Sequence, residues 1–220
     1  KAYLKMICKV GKKIYLAVGG STENEIEESI NYIKKLKLKN EIIILCGFQN
    51  FPTKMQDSKL SQINYFKKKY DLEIGYADHI DSEDKKLREI IPFMAYASGA
   101  NYIEKHITLD RSKKGRDYYS SLNPNEFKKF VINFKNYSTA LGDPFNIGKS
   151  KAEIKYRKFS KRYAVAKHDV VRGTEFNIKD FIFKRTNKTG ISHSQIDSFE
   201  GKIINVDLSS DDQLELKHLK

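Results

Sequence analysis

The stretch Lys13–Leu36, KIYLAVGGSTENEIEESINYIKKL, decides how the rest of the chain is read. After its leading lysine it runs Ile-Tyr-Leu-Ala-Val, the composition of a short strand buried on both faces. Gly19-Gly20 ends that run, and Thr22-x-x-Glu25 is a capping box. Ile26, Ile30, Ile33 and Leu36 then recur at helical spacing. Strand, glycine turn and amphipathic helix make one βα unit. The pattern returns three times, with strand-like runs at Glu41–Cys46, Leu72–Tyr76 and Asn101–Lys105. The helices after them are marked by Leu60, Ile63 and Phe66, by Leu87, Ile90, Ile91, Met94 and Ala97, and by Phe127, Phe130, Val131 and Phe134. Asn123-Pro124 opens the last of these at N-cap and N1. Met55, Met94 and the phenylalanine stripe are expected in the core. The strand starts recur about every 30 residues, the length of a βα repeat. Residues 1–142 are therefore predicted to be α/β, either a small open parallel layer or half of a (β/α)8 barrel. A helical stretch, Tyr3–Val10, leads straight into the first strand with no initiator methionine, as though the chain continued something.

Past Gly142-Asp143-Pro144 the pattern changes. Residues 143–159 are polar and basic without clear periodicity and read as a linker. Residues 160–220 carry short strand-like pieces and frequent turns: Arg162–Ala166, Val171-Arg172-Gly173, Phe181–Arg185 and Lys202–Val206. They read as a small β-rich module whose core is thin for an independent domain.

Composition narrows the function. The 220 residues are 40% hydrophobic and 12% aromatic, enough for a packed core. No apolar run approaches the roughly 18 residues of a membrane span, so no membrane role is expected. Two cysteines, Cys8 and Cys46, form no framework of disulfides, which points to a reducing cytoplasm. The net charge of +13 comes from 34 Lys and only seven Arg, spread along the chain. Nucleic-acid contacts would concentrate on one element, so no nucleic acid is expected as partner.

Functional groups of parallel α/β units gather at the carboxyl ends of the strands. The four ends here are Gly19-Gly20-Ser21, Gly47-Phe48-Gln49-Asn50-Phe51-Pro52-Thr53, Ala77-Asp78-His79 and Glu104-Lys105-His106, with Asp110, Arg111, Arg116 and Asp117 beyond the last. The glycine turn could hold a phosphate, though an ordinary strand-to-helix turn explains it equally well. His79 and His106 end neighbouring strands, which lie about 4.8 Å apart. Two imidazoles in one mouth can share a divalent metal. A single strand-end histidine is more often only a hydrogen-bonded polar residue, and His168, His193 and His218 are read that way.

These ends carry a resemblance. Gly75-Tyr76-Ala77-Asp78-His79 resembles the GYSDH motif of the sialic acid synthase family, and Ile103–Asp110, IEKHITLD, its IEKHFTLD motif. Gly11-Lys12-Lys13, the Cys46–Thr53 strand end and Gly115-Arg116-Asp117 with Ser121-Leu122-Asn123-Pro124 are similar to further segments of that family. Residues 160–220, with Tyr163–Ala166, Val170–Thr174, Phe183-Lys184-Arg185 and Gly190-Ile191-Ser192, resemble its closing antifreeze-like (SAF) domain. The resemblance implies the C-terminal half of a TIM barrel followed by that domain. It also implies condensation of phosphoenolpyruvate with an N-acylated aminosugar of the N-acetylmannosamine type, with release of phosphate. Mn²⁺ or Mg²⁺ would be held by His79 and His106, which with Glu104 form the catalytic set. Lys12 would bind phosphate, while Gln49, Phe51 and Asp117 would line the substrate site. Arg185 would reach into the partner's site in a domain-swapped homodimer.

The chain also departs from the family pattern. Ala17-Val18 and Ala77 stand where hydroxyl residues are usual, and Phe51 where Tyr is usual. The family's first half barrel has no counterpart here. A non-catalytic relative, binding carbohydrate or assembling with a separately encoded half barrel, is the alternative reading.

Overall fold

Ile42-Ile43-Ile44-Leu45-Cys46 is buried at every position, on both faces of its strand, as a central parallel strand must be. In the computed structural model, which describes residues 1–50 and 52–220, this strand, β2 (Glu41–Cys46), lies between β1 (Lys13–Ala17) and β3 (Glu73–Asp78), with β4 (Tyr102–Lys105) beyond. All three pairings are parallel, and the spatial order follows the order in the chain. A doubly wound sheet reverses its order at a switch point. This sheet has no reversal, which is consistent with four consecutive units of a (β/α)8 barrel.

Alternation assigns the two faces. Ile14, Leu16, Ile42, Ile44, Ile74, Tyr76 and Ile103 point toward the helices and join one hydrophobic cluster with Ile26, Ile30 and Ile33 of α2 (Glu23–Lys35) and Ile63 and Phe66 of α3 (Ser61–Tyr70). Each fully buried isoleucine contributes roughly 1.5–3 kcal/mol by leaving water. The other face carries the buried Ile43, Leu45 and Ala77 at its centre and Lys13, Tyr15, Ala17, Glu73, Tyr102 and Glu104 around them, where exposed residues collect. α2 opens on the expected box: Thr22 N–H donates to Glu25 Oε2 at 2.7 Å. α1 (Ala2–Val10) precedes β1.

α4 (Leu87–Ala97) is rotated from its expected orientation. Its buried residues are Arg88, Ile91, Pro92 and Ala95, whereas Ile90 and Met94 are exposed. Arg88 faces inward because Arg88 Nη1 donates to the Ser82 carbonyl at 2.6 Å and to Glu126 Oε1 at 2.9 Å. Met55 is exposed as well, and of the phenylalanine stripe on α5 (Pro124–Ser138) only Phe130 is buried.

The first compact unit is Lys1–Gly142 and the second Asp143–Lys220. The second holds a correction. Lys151–Ser160, expected as part of a linker, is a helix, α6, opened by Ser150, whose Oγ accepts from Glu153 N–H at 3.1 Å. Unit 2 has one antiparallel pair, β5 (Arg162–Ala166) with β6 (Phe181–Arg185). The segments 171–173 and 202–206 are not strands; Glu175↔Ile203 and Ile204↔Leu219 are isolated bridges. Ala164, Val170, Phe181, Ile191, Ile204 and Leu214 centre its core. Among the described residues no helix is long and apolar enough to cross a membrane.

Candidate active site at the carboxyl edge of the sheet

Asp78 pairs with Lys105 at the end of the β3–β4 register, so the next residues, His79 and His106, emerge side by side. Their Nε2 atoms are 3.0 Å apart. Both backbones are tethered beyond the sheet. The His79 carbonyl accepts from Thr53 N–H at 3.1 Å, and the His106 carbonyl from Leu122 N–H at 2.9 Å. The loops after β2 and β4 are thereby stitched to the two histidines.

His79 Nδ1 lies 3.3 Å from the Ala77 carbonyl. Donation along that contact places the proton on Nδ1 and leaves the Nε2 lone pair facing His106. At 3.0 Å the two nitrogens are within hydrogen-bonding distance, His106 Nε2–H donating to that lone pair. Two imidazole nitrogens facing one another are also a donor set that a divalent transition metal would accept. Partial burial, and then the neighbouring His106, lower the pKa of His79. A neutral imidazole is the form that ligates. Among the described residues no third His, Cys, Asp or Glu joins the pair.

Glu104 lies one pleat below His106, exposed and paired with the buried Ala77 on the same face, and its charge is felt at His79. Asp117 sits in the left-handed region (φ 59), which a short acidic side chain tolerates. Its carbonyl accepts from Ser121 Oγ at 2.8 Å and Ser120 N–H at 3.1 Å, which pins the turn. Its carboxylate accepts from Gln49 Nε2 across the cleft, joining the loops after β2 and β4. Gln49, Arg116, Asp117, Tyr118 and Tyr119 line that cleft.

Two glycines let the strand ends converge. Gly47 has φ +98, and a Cβ there would stand 2.4 Å from the Ala77 carbonyl oxygen. At Gly19 a Cβ would stand 2.4 Å from the Gly47 carbonyl oxygen.

Other expected site residues fall elsewhere. Lys12 precedes β1 at the amino edge, where its carbonyl accepts from Glu41 N–H at 2.8 Å. A five-residue strand, at about 3.3 Å per residue, separates it from the carboxyl edge, so the structure does not bring Lys12 to the histidines. Phe51 lies outside the described residues. Arg185 ends β6 of the second unit, exposed and opposite Arg162 in register.

Sequence reasoning passed over the residues that sit behind the site. The Asp78 and Lys105 side chains form an ion pair with 0% and 2% exposure on the helix side of the sheet. Period-two alternation carried the signal: each is adjacent to a histidine and therefore points the opposite way.

Over 211 residues the chain is 33% identical to the N,N'-diacetyllegionaminic acid synthase of Campylobacter jejuni, covering 96% of this chain and 61% of that protein. A pseudaminic acid synthase of the same species is 30% identical over 175 residues, 80% of this chain and 48% of its own length. The chain thus spans about three fifths or less of these relatives. Among solved structures, the N-acetylneuraminic acid (sialic acid) synthetase of Leptospira borgpetersenii, in complex with citrate, superposes with a TM-score of 0.58 at 31% identity, over 71% of this chain and 53% of that one. The putative spore coat polysaccharide biosynthesis protein E of Chromobacterium violaceum has the same fold, with a TM-score of 0.77 at 18% identity over 100% of this chain and 64% of that one. The model of the NeuB family matches residues 1–146, and the chain belongs to that family.

Proposed function

We propose that this chain supplies the metal-binding and acceptor-binding part of a nonulosonic acid synthase, which joins phosphoenolpyruvate to an N-acylated aminosugar and releases phosphate. The 3.0 Å separation of His79 and His106 Nε2 carries the reading. The two imidazoles would hold a divalent cation, which when bound supplies Lewis-acid polarisation of the sugar aldehyde. Mn²⁺ or Mg²⁺ would serve, and nitrogen donors favour the transition metal. Asp117 and Gln49, already hydrogen-bonded to each other, would exchange that bond for the hydroxyls of the sugar. Glu104, on the same face, would accept or return a proton at the reacting centre. Residues 1–142 would form the C-terminal half of a TIM barrel and 160–220 an SAF-like domain. Arg185 would meet the substrate across a domain-swapped homodimer, where its planar fork suits an N-acyl oxygen. Lys12 has no part in this site.

The test is phosphate release from phosphoenolpyruvate and N-acetylmannosamine by the chain supplemented with the first half barrel of a relative. Turnover is expected, lost in His79→Ala and in His106→Ala together with Mn²⁺ binding. Turnover that survives either substitution would overturn the reading. A second reading is favoured by Ala17, Ala77 and the amino-edge position of Lys12, which leave few groups for phosphate. In that reading the chain binds carbohydrate without catalysis. Acceptor binding with no turnover in the supplemented protein would select it.

A further inference from the structure

The Asp78–Lys105 ion pair lies against the back of the sheet, directly behind the histidines. Asp78 uses both oxygens. One accepts from Lys105 Nζ, and Oδ1 accepts from Ile80 N–H at 3.2 Å, so a single carboxylate brackets the backbone of His79. Lys105 is equally well provided. Besides Asp78 it reaches the Arg88 carbonyl at 3.4 Å and lies 5.7 Å from the centre of the Phe130 ring.

The Arg88 carbonyl is available for a specific reason. In a regular helix it would accept from the N–H four residues on, and that residue is Pro92, which has none. A helix-breaking residue in the middle of α4 thus presents a bare carbonyl to the lysine. Ion pair, freed carbonyl and aromatic face converge on one ammonium from β3, α4 and α5.

Stability alone is a poor account of this arrangement. Buried ion pairs are often matched or exceeded in stability by apolar residues of similar volume. What an ion pair adds is register. A slip of one residue between β3 and β4 would turn Lys105 to the other face and separate the imidazoles.

We infer that Asp78 and Lys105, with the Arg88 carbonyl freed by Pro92, are positioning residues that hold His79 and His106 side by side, as two ligands of one divalent cation would have to be. The inference rests on reading those histidines as the metal holders. Each member of the pair immediately precedes one histidine, so the restraint on one side of the sheet sets the geometry on the other.

The test compares the full chain with Asp78→Asn/Lys105→Met, which removes both charges while keeping an acceptor for Ile80 N–H and the bulk of the lysine stem. His79→Ala is the control. Mn²⁺ affinity is read by the paramagnetic resonance of the free ion, coordination by the visible spectrum of added Co²⁺, and folding by thermal denaturation. The double variant should melt close to the parent, bind Mn²⁺ about 10–100-fold more weakly, the usual cost of disturbing groups behind metal ligands, and show an altered Co²⁺ spectrum. A folded double variant with parental affinity and spectrum overturns the inference, and loss of Mn²⁺ in His79→Ala then leaves the metal reading standing. Parental Mn²⁺ binding in His79→Ala removes the metal reading and this inference with it. If the double variant does not fold, Pro92→Ala decides, because it returns the Arg88 carbonyl to the helix without changing a charge. Mn²⁺ affinity lowered about threefold or more, with an unchanged or higher melting temperature, supports the positioning role; parental affinity overturns it.

Discussion

Glu126 receives hydrogen bonds from two guanidinium groups, Arg111 Nη1 at 2.5 Å and Arg88 Nη1 at 2.9 Å. Arg111, with help from Asn123 N–H and Arg88, outweighs partial burial and holds the carboxyl down at about 2, from an ordinary 4.5. A depressed carboxyl stabilises the fold above its unfolded value. The contribution is complete above about pH 4.5 and fades as pH falls toward about 2. Urea unfolding of the parent should therefore weaken through that window, and Glu126→Gln should flatten the dependence. At neutral pH the variant should lose about 1.5–3 kcal/mol, the value of a hydrogen bond to a charged group. An equally steep acid loss in the variant would place the sensitivity elsewhere. Gly47→Ala is expected to cost roughly 1–3 kcal/mol, because φ +98 and the Ala77 carbonyl both resist a Cβ. A melting temperature unchanged by that substitution would contradict the close approach. At this scale His79 and His106 were legible because a strand end fixes position by counting. Lys12 was placed by resemblance, although its location before β1 already put it at the far edge.

Among elements, the strands were legible because each is a short run rich in apolar residues, and β2 and β3, buried on both faces, carry the longest stretches of buried positions. α6 was missed for the opposite reason. It buries no residue, so no apolar stripe marks it. Its signal was Ser150-x-x-Glu153, the box that was read at Thr22 and overlooked here. With no packing to hold it, α6 depends on that cap: Ser150→Ala should cost about 1 kcal/mol and reduce helical amide protection across Lys151–Ser160 in hydrogen exchange. Protection equal to the parent would show that something other than the cap sustains the helix. The rotation of α4 was illegible because two rows of its residues fit helical spacing. The row that turned inward contains an arginine and a proline, which hydropathy alone places outside.

At the scale of the molecule, the sheet has two open edges, β1 and β4, each paired on one side only. Its exposed face carries Tyr15 at 50% exposure, and beyond β4 Ile107 and Leu109 reach 63% and 91%. Unpaired edges and uncovered apolar groups drive association. Sedimentation of residues 1–220 alone should show self-association that diminishes when the first half barrel of a relative is added. A monodisperse monomer at tens of micromolar would count against the half-barrel reading.

The strictly sequential strand order has a consequence for how the sheet is made. Each strand pairs only with those immediately before and after it in the chain: Lys13 with Glu41, Ile43 with Glu73, Gly75 with Tyr102. On a ribosome adding roughly 5–20 residues per second, a new strand emerges every few seconds and meets an edge already waiting. Assembly can then advance one βαβ unit at a time, with no strand idle until a distant partner has been translated. The polypeptide lays down its sheet in the order in which it is spoken.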